Sequence, residues 1–95
     1  MSTYVFASLR CLPGQQAAVQ AALERLAAAS RQEPGCRQYR LFAAAEGAPG
    51  LHVFEEYADT AALAAHRAAP HYRAYRAFVA DKLAAPVEVQ RMAAL

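Results

Sequence analysis

Three histidines, His52, His66 and His71, and the paired carboxylates Glu55 and Glu56 are the side chains of this 95-residue chain best suited to moving protons. An imidazole titrates near neutrality, so His66 is read as a general base able to take a proton from a phenol or an enolisable carbon. Glu55 alternates onto one face with Leu51, Val53 and Tyr57. A carboxylate in such an apolar row must find a partner or keep its proton, and it is placed to orient His66. The purely structural alternative is an ion pair with Arg40 or Arg10. His71 follows Pro70 at a helix start, where the helix dipole favours the neutral ring, and is assigned to the pocket mouth or, alternatively, to an exposed first turn. Tyr39, Tyr57, Tyr72, Tyr75 and Phe78 can wall a substrate cavity or simply fill the core. No metal site is expected, because the histidines lack helical i,i+4 spacing and Pro70 interrupts the closest pair.

The elements that must position these groups follow from periodicity. Residues 4–12 alternate Val5, Ala7, Leu9 and Cys11 against Tyr4, Phe6, Ser8 and Arg10, giving a first strand before Pro13-Gly14. Residues 15–32 form an amphipathic helix with Val19, Ala22, Leu23, Leu26 and Ala27 on its apolar side, and Glu33-Pro34-Gly35 stops it. Residues 36–43 alternate again, with Tyr39, Leu41 and Ala43 on one face. A loop of hairpin length at 46–50 leads to a third strand, 51–58, paired antiparallel with the second. Asp59 is an N-cap for a helix over 60–69. A further helix spans 71–84, with Tyr72, Tyr75, Phe78 or Val79, and Leu83 along one stripe, and residues 87–92 make a short last strand. The β-α-β-β-α-β order, its second helix split at Pro70, is a ferredoxin-like α+β arrangement. One layer of helices covers one sheet face, yet both faces of the first three strands carry bulky apolar residues. The uncovered face, to which His52 is assigned, predicts an isologous homodimer.

Composition narrows the function classes. The chain is one domain, residues 1–95, with 57% hydrophobic and 19% charged residues, which excludes intrinsic disorder. Alanine supplies about a quarter of it, so the core is modest and gains from burial in an oligomer. A net charge of +2 carries no case for nucleic acid. Neither a signal sequence nor an apolar run of membrane-spanning length is found, which gives a cytoplasmic protein as the expectation. Cys11 and Cys36 form no CxxC motif and are read as small apolar filler.

Glu33-Pro34-Gly35-Cys36-Arg37-Gln38-Tyr39, then Phe54-Glu55-Glu56-Tyr57 running into Asp59 and His66, and finally Pro70-His71-Tyr72, resemble a known family. Over nearly its whole length the chain is similar to the antibiotic-biosynthesis-monooxygenase family, in particular to its small quinol-monooxygenase type. The resemblance implies a dimeric α+β barrel with a pocket between sheet and helices in each subunit. It also implies oxidation of an electron-rich aromatic by O2 with neither metal nor flavin. Such chemistry is feasible because a deprotonated quinol can itself give an electron to O2, so the protein need supply only an apolar cavity, a proton acceptor and exclusion of water. Accordingly no cofactor is expected, and the chain has no GxGxxG, P-loop, HExxH or GxSxG motif. Haem-degrading relatives use an Asn and a Trp, and this chain contains neither.

Two rival classes share the same topology. RNA-recognition modules stack bases on exposed aromatics beside basic groups, whereas Glu55-Glu56 would repel phosphate here. A dimeric-barrel isomerase or a non-catalytic small-molecule binder fits the residues better, since enolisation of a carbonyl compound needs the same base. The expectation is therefore a homodimeric, cofactor-independent monooxygenase acting on a quinol-like aromatic, with His66 as base and Glu55 orienting it.

Overall fold

Alternating burial organises the sheet. In β1 (Thr3–Leu9) the inward residues are Val5, Ala7 and Leu9, and in β3 (Leu51–Tyr57) they are Leu51, Val53, Glu55 and Tyr57. The computed structural model describes residues 1–95, and four strands pair in the order β2-β3-β1-β4, every neighbouring pair antiparallel. β2 (Cys36–Ala43) runs beside β3 with a bulge between Cys36 and Gln38 that sets Tyr39 opposite Glu55. β4 (Glu88–Met92) closes the other edge against β1. The fold is the ferredoxin-like α+β arrangement, and no helix is long and apolar enough to cross a membrane.

Three helices lie on the inward face. α1 (Gln16–Ser30) buries Val19, Ala22, Leu23, Leu26 and Ala27 against it, the stripe expected from three-to-four spacing. α2 (Thr60–Ala68) begins at Asp59, whose side chain accepts a hydrogen bond from the Ala62 amide at 2.8 Å. α3 (Pro70–Val79) opens on its proline, where the missing N–H would have had no helical partner.

Two expected boundaries are corrected. The last helix ends at Val79 rather than at residue 84, and the first strand ends at Leu9 rather than at residue 12. The reason is tertiary: the Leu12 amide donates to the Lys82 carbonyl at 2.9 Å and the Ala84 amide to the Arg10 carbonyl at 2.8 Å, so the two segments pair with each other instead of extending their elements. Val79 takes the buried position of the α3 stripe, while Phe78 is 41% exposed.

The turn after α1 decides how closely α2 can approach. A Cβ added at Gly35 would lie 2.4 Å from the Ala62 Cβ, and the Ala58 amide donates to the Gly35 carbonyl at 2.8 Å. Only a glycine allows this contact between the turn and α2. Gly35→Ala is expected to destabilise the fold by about 1–3 kcal/mol, the usual range for overpacking. The double variant with Ala62→Gly recovers most of that loss in urea denaturation; equal stability of the single variant and the parent would show that the contact is not tight.

Candidate active site

His66, on the last turn of α2, is 1% exposed and lies among Tyr39, Tyr57 and Tyr72, with ring centroids 5.7, 5.2 and 4.9 Å away. Each of its ring nitrogens faces a carboxylate. Nδ1 lies 3.2 and 3.1 Å from the two oxygens of Glu33, and Nε2 lies 3.8 Å from Glu55 Oε1 with no hydrogen-bond partner. Burial pushes the His66 imidazole below its ordinary pKa, against the opposing pull of Glu33. A neutral ring has one N–H, and the geometry places it on Nδ1, donating to Glu33 and leaving Nε2 bare toward Glu55.

Glu55 is 7% exposed. The Tyr57 hydroxyl donates to its Oε1 at 2.6 Å, and neither Arg40 nor Arg10 pairs with it. Burial drives the Glu55 carboxyl above its ordinary pKa, although the Tyr57 bond and the Arg67 charge act the other way. Burial likewise raises the Tyr39 and Tyr57 phenols, so both remain protonated donors.

In the sequence Glu33 stands as part of a helix stop and of the family-like segment with no role of its own, and it is the principal site residue that sequence reasoning misses. Its amide donates to the Ser30 carbonyl and its carbonyl accepts from the Cys36 amide, which fixes it in the turn between α1 and β2. One of its oxygens also meets His71 Nε2. Hence His66 and His71 do converge, their rings 6.2 Å apart, because Pro70 starts a new helix that folds back over the end of the old one.

A cavity of about 60 Å³ lies between the sheet, α1 and α3. Tyr39, Tyr72 and Tyr75 are on its wall as expected, and Glu55 is the carboxylate that lines it. His66 does not line it but stands one step behind Glu55, the reverse of the order in which the sequence analysis set the two. Tyr57 is fully buried and does not line the cavity, touching the site through its bond to Glu55 and its ring packed against His66. Phe78 belongs to a separate groove of about 360 Å³ between α1 and α3, which His71 also borders. His52 is on the opposite sheet face, bonded to Ser8 at 2.9 Å.

The fold and these residues can be set beside known proteins. A model of the antibiotic biosynthesis monooxygenase family matches residues 2–77, a span that includes Glu33, Glu55, His66 and His71. The chain belongs to the antibiotic biosynthesis monooxygenase family. A curated relative from Mycobacterium tuberculosis, named "Putative monooxygenase Rv0793", is 40% identical over 83 residues, which cover 87% of this chain and 81% of the relative. The solved structure of Rv0793 superposes with a TM-score of 0.95 at 38% identity, covering 100% of this chain and 96% of that one. The structure of PA3566 from Pseudomonas aeruginosa gives a TM-score of 0.91 at 26% identity over 99% and 94% of the two chains. Family membership supports a monooxygenase-type role for this chain.

Within the chain, the Tyr57 hydroxyl is the hydrogen-bond donor that satisfies the buried Glu55 carboxyl. Tyr57→Phe keeps the ring and removes the donor, so it is expected to cost about 1–3 kcal/mol. Losing that bond raises the Glu55 pKa further above its unfolded value, and a carboxyl raised in the folded state loses stability as pH rises through that window. The deficit of Tyr57→Phe should therefore grow as pH rises above the ordinary carboxylate range in denaturant titrations. A deficit that shrinks over the same range contradicts this account of Glu55.

Proposed function

We propose that this protein is a cofactor-independent monooxygenase that takes a proton from a quinol-like aromatic at Glu55 and His66 and lets the resulting anion react with O2. One observation carries the reading: Glu55 Oε1 and His66 Nε2 are buried acceptors 3.8 Å apart, and Tyr57 supplies the only donor to the pair. A phenolic hydroxyl is the donor such a gap lacks. Glu55, on the cavity wall, takes the proton first, and His66 Nε2 shares it. The quinolate then passes one electron to O2, the radicals join through a new ring C–O bond, and the peroxide takes back the phenolic proton. The hydrogen on the oxygenated carbon then leaves as a proton while the O–O bond breaks and water departs, and the new carbonyl enolises to the hydroxyl of the product. Quinol plus O2 thus gives hydroxyquinone plus water, with atoms and electrons balanced.

The cavity sets a condition on this chemistry. Pockets that hold drug-sized ligands run to roughly 300–1,000 Å³, and the one beside Glu55 is about 60 Å³. An aromatic substrate must displace Tyr72 and Tyr75, which means moving α3 away from the sheet. The small volume favours a second reading, enolisation of a small carbonyl compound, which uses the same acceptor pair without O2.

Assembly belongs to the proposal as well. The accessible surface is 5930 Å², whereas a folded monomer of 10.2 kDa is expected to expose about 5,300 Å². On the sheet face without helices, Phe6 pairs in register with Phe54, and Tyr4 stacks on Phe54 with centroids 6.0 Å apart. A second copy packed on this face gives the isologous homodimer expected from the sequence, and a chain that sediments only as a monomer at micromolar concentration refutes it.

The reaction is tested by anaerobic mixing with reduced naphthoquinones, exposure to labelled O2 and mass spectrometry against protein-free autoxidation. Label is expected in the product, with Glu55→Gln slowing turnover by about 10²- to 10⁴-fold, the range for a general base. Faster oxidation without label would indicate a quinol oxidase. No acceleration of any quinol, with proton exchange into a small ketone, would replace oxygenation by the isomerase reading.

A further inference from the structure

Glu33, His66 and His71 carry a consequence separate from the acid–base pair. Their ligand atoms, a carboxylate oxygen, His66 Nδ1 and His71 Nε2, all lie within 4.8 Å of one another. We propose that these three residues form a binding site for a divalent transition-metal ion of the zinc class, one ion per chain.

The donor set fits that chemistry. Two imidazole nitrogens and one carboxylate oxygen suit zinc, cobalt, nickel or copper, whereas magnesium and calcium call for a shell of oxygens. Three protein ligands leave a fourth position for water, and the site can be reached from solvent, since the side chains of His71 and Glu33 are 32% and 17% exposed while His66 forms its buried floor. The cluster is assembled from three elements. The turn after α1 supplies Glu33, the end of α2 supplies His66 and the start of α3 supplies His71. The expectation that Pro70 keeps the two histidines apart fails for this reason.

A second observation supports the site. A metal-bound histidine almost always donates its other N–H to a carboxylate, a carbonyl or water, which fixes the tautomer. His66 Nε2 is buried without a partner and faces Glu55 at 3.8 Å. An ion on Nδ1 moves the ring proton to Nε2, so the orphaned nitrogen becomes a donor aimed at that carboxylate. Closing the 3.8 Å gap between Nε2 and Glu55 to about 3 Å completes the outer-sphere hydrogen bond typical of zinc-bound histidines. An ion on Nδ1 therefore removes the open Nε2 acceptor that the proposed oxidation uses, so the metal-bound and proton-accepting states of His66 exclude each other, while binding itself is measured without turnover.

The test uses the full-length, metal-free protein and Co²⁺ and Zn²⁺ as probes. Titration with Co²⁺ should give visible absorption bands saturating at one equivalent, and Zn²⁺ should displace the Co²⁺ and abolish them. His71→Ala and Glu33→Gln should abolish saturable binding, and Glu55→Gln should weaken it by about 10- to 100-fold. His71 is partly exposed, so His71→Ala is expected to fold, which circular dichroism checks. His52→Ala, altered on the opposite sheet face, should bind as the parent does. No saturable binding by the parent, binding unchanged in His71→Ala, or binding lost in His52→Ala would each overturn the proposal.

Discussion

A single buried imidazole set between two carboxylates is the constraint on which the rest of the site depends. Neutral His66 has one proton to donate and two acidic neighbours, Glu33 at Nδ1 and Glu55 at Nε2. Charging the ring would satisfy both, but burial at 1% exposure opposes the charge. The ring therefore serves Glu33 and leaves an unsatisfied acceptor facing Glu55, itself held by the Tyr57 hydroxyl. Unsatisfied buried acceptors are costly, and one standing behind a carboxylate that lines a cavity marks a candidate functional site.

The scaffold is arranged to maintain this imbalance. Gly35 lets α2 close on the turn that carries Glu33, the bulge in β2 sets Tyr39 opposite Glu55, and Pro70 redirects the chain so that His71 returns to the same carboxylate. The Arg31 guanidinium adds a tie from the end of α1 to β2, donating to the Tyr39 carbonyl at 3.0 and 2.6 Å. The Gly35–Ala62 and Glu33–His71 contacts join residues distant in sequence, so the positions of the reactive groups depend on how α2 and α3 pack on the turn after α1. The same packing leaves a cavity of about 60 Å³ beside Glu55, walled on the helix side by Tyr72 and Tyr75 of α3.

Much of this was legible in the chain itself. Alternation assigned the faces of Val5, Tyr39 and Glu55 correctly, and the Asp59 cap and the α1 stripe lie where their spacing put them. What failed depended on contacts between distant segments. The end of α3 is set by pairing of residues 82–84 with 10–12, which no local pattern contains, and Val79 rather than Phe78 takes the inward position of the stripe, leaving Phe78 in the separate groove. Glu33 looked like punctuation because a Glu-Pro-Gly run ends helices whatever the acidic side chain does. Its one visible signal was its place within the segment that resembles the family. The order of Glu55 and His66 at the cavity was illegible for a related reason: periodicity says which face a residue occupies, not which of two facing groups reaches the cavity.

The most direct test of this account is the protonation of His66, read by nitrogen-15 NMR of the ring in the metal-free protein at neutral pH. The account predicts a neutral ring with its proton on Nδ1 and an unprotonated Nε2. An imidazolium, or a neutral ring protonated at Nε2, would contradict it, because His66 would then donate to Glu55 and no open acceptor would remain behind the carboxylate that lines the cavity.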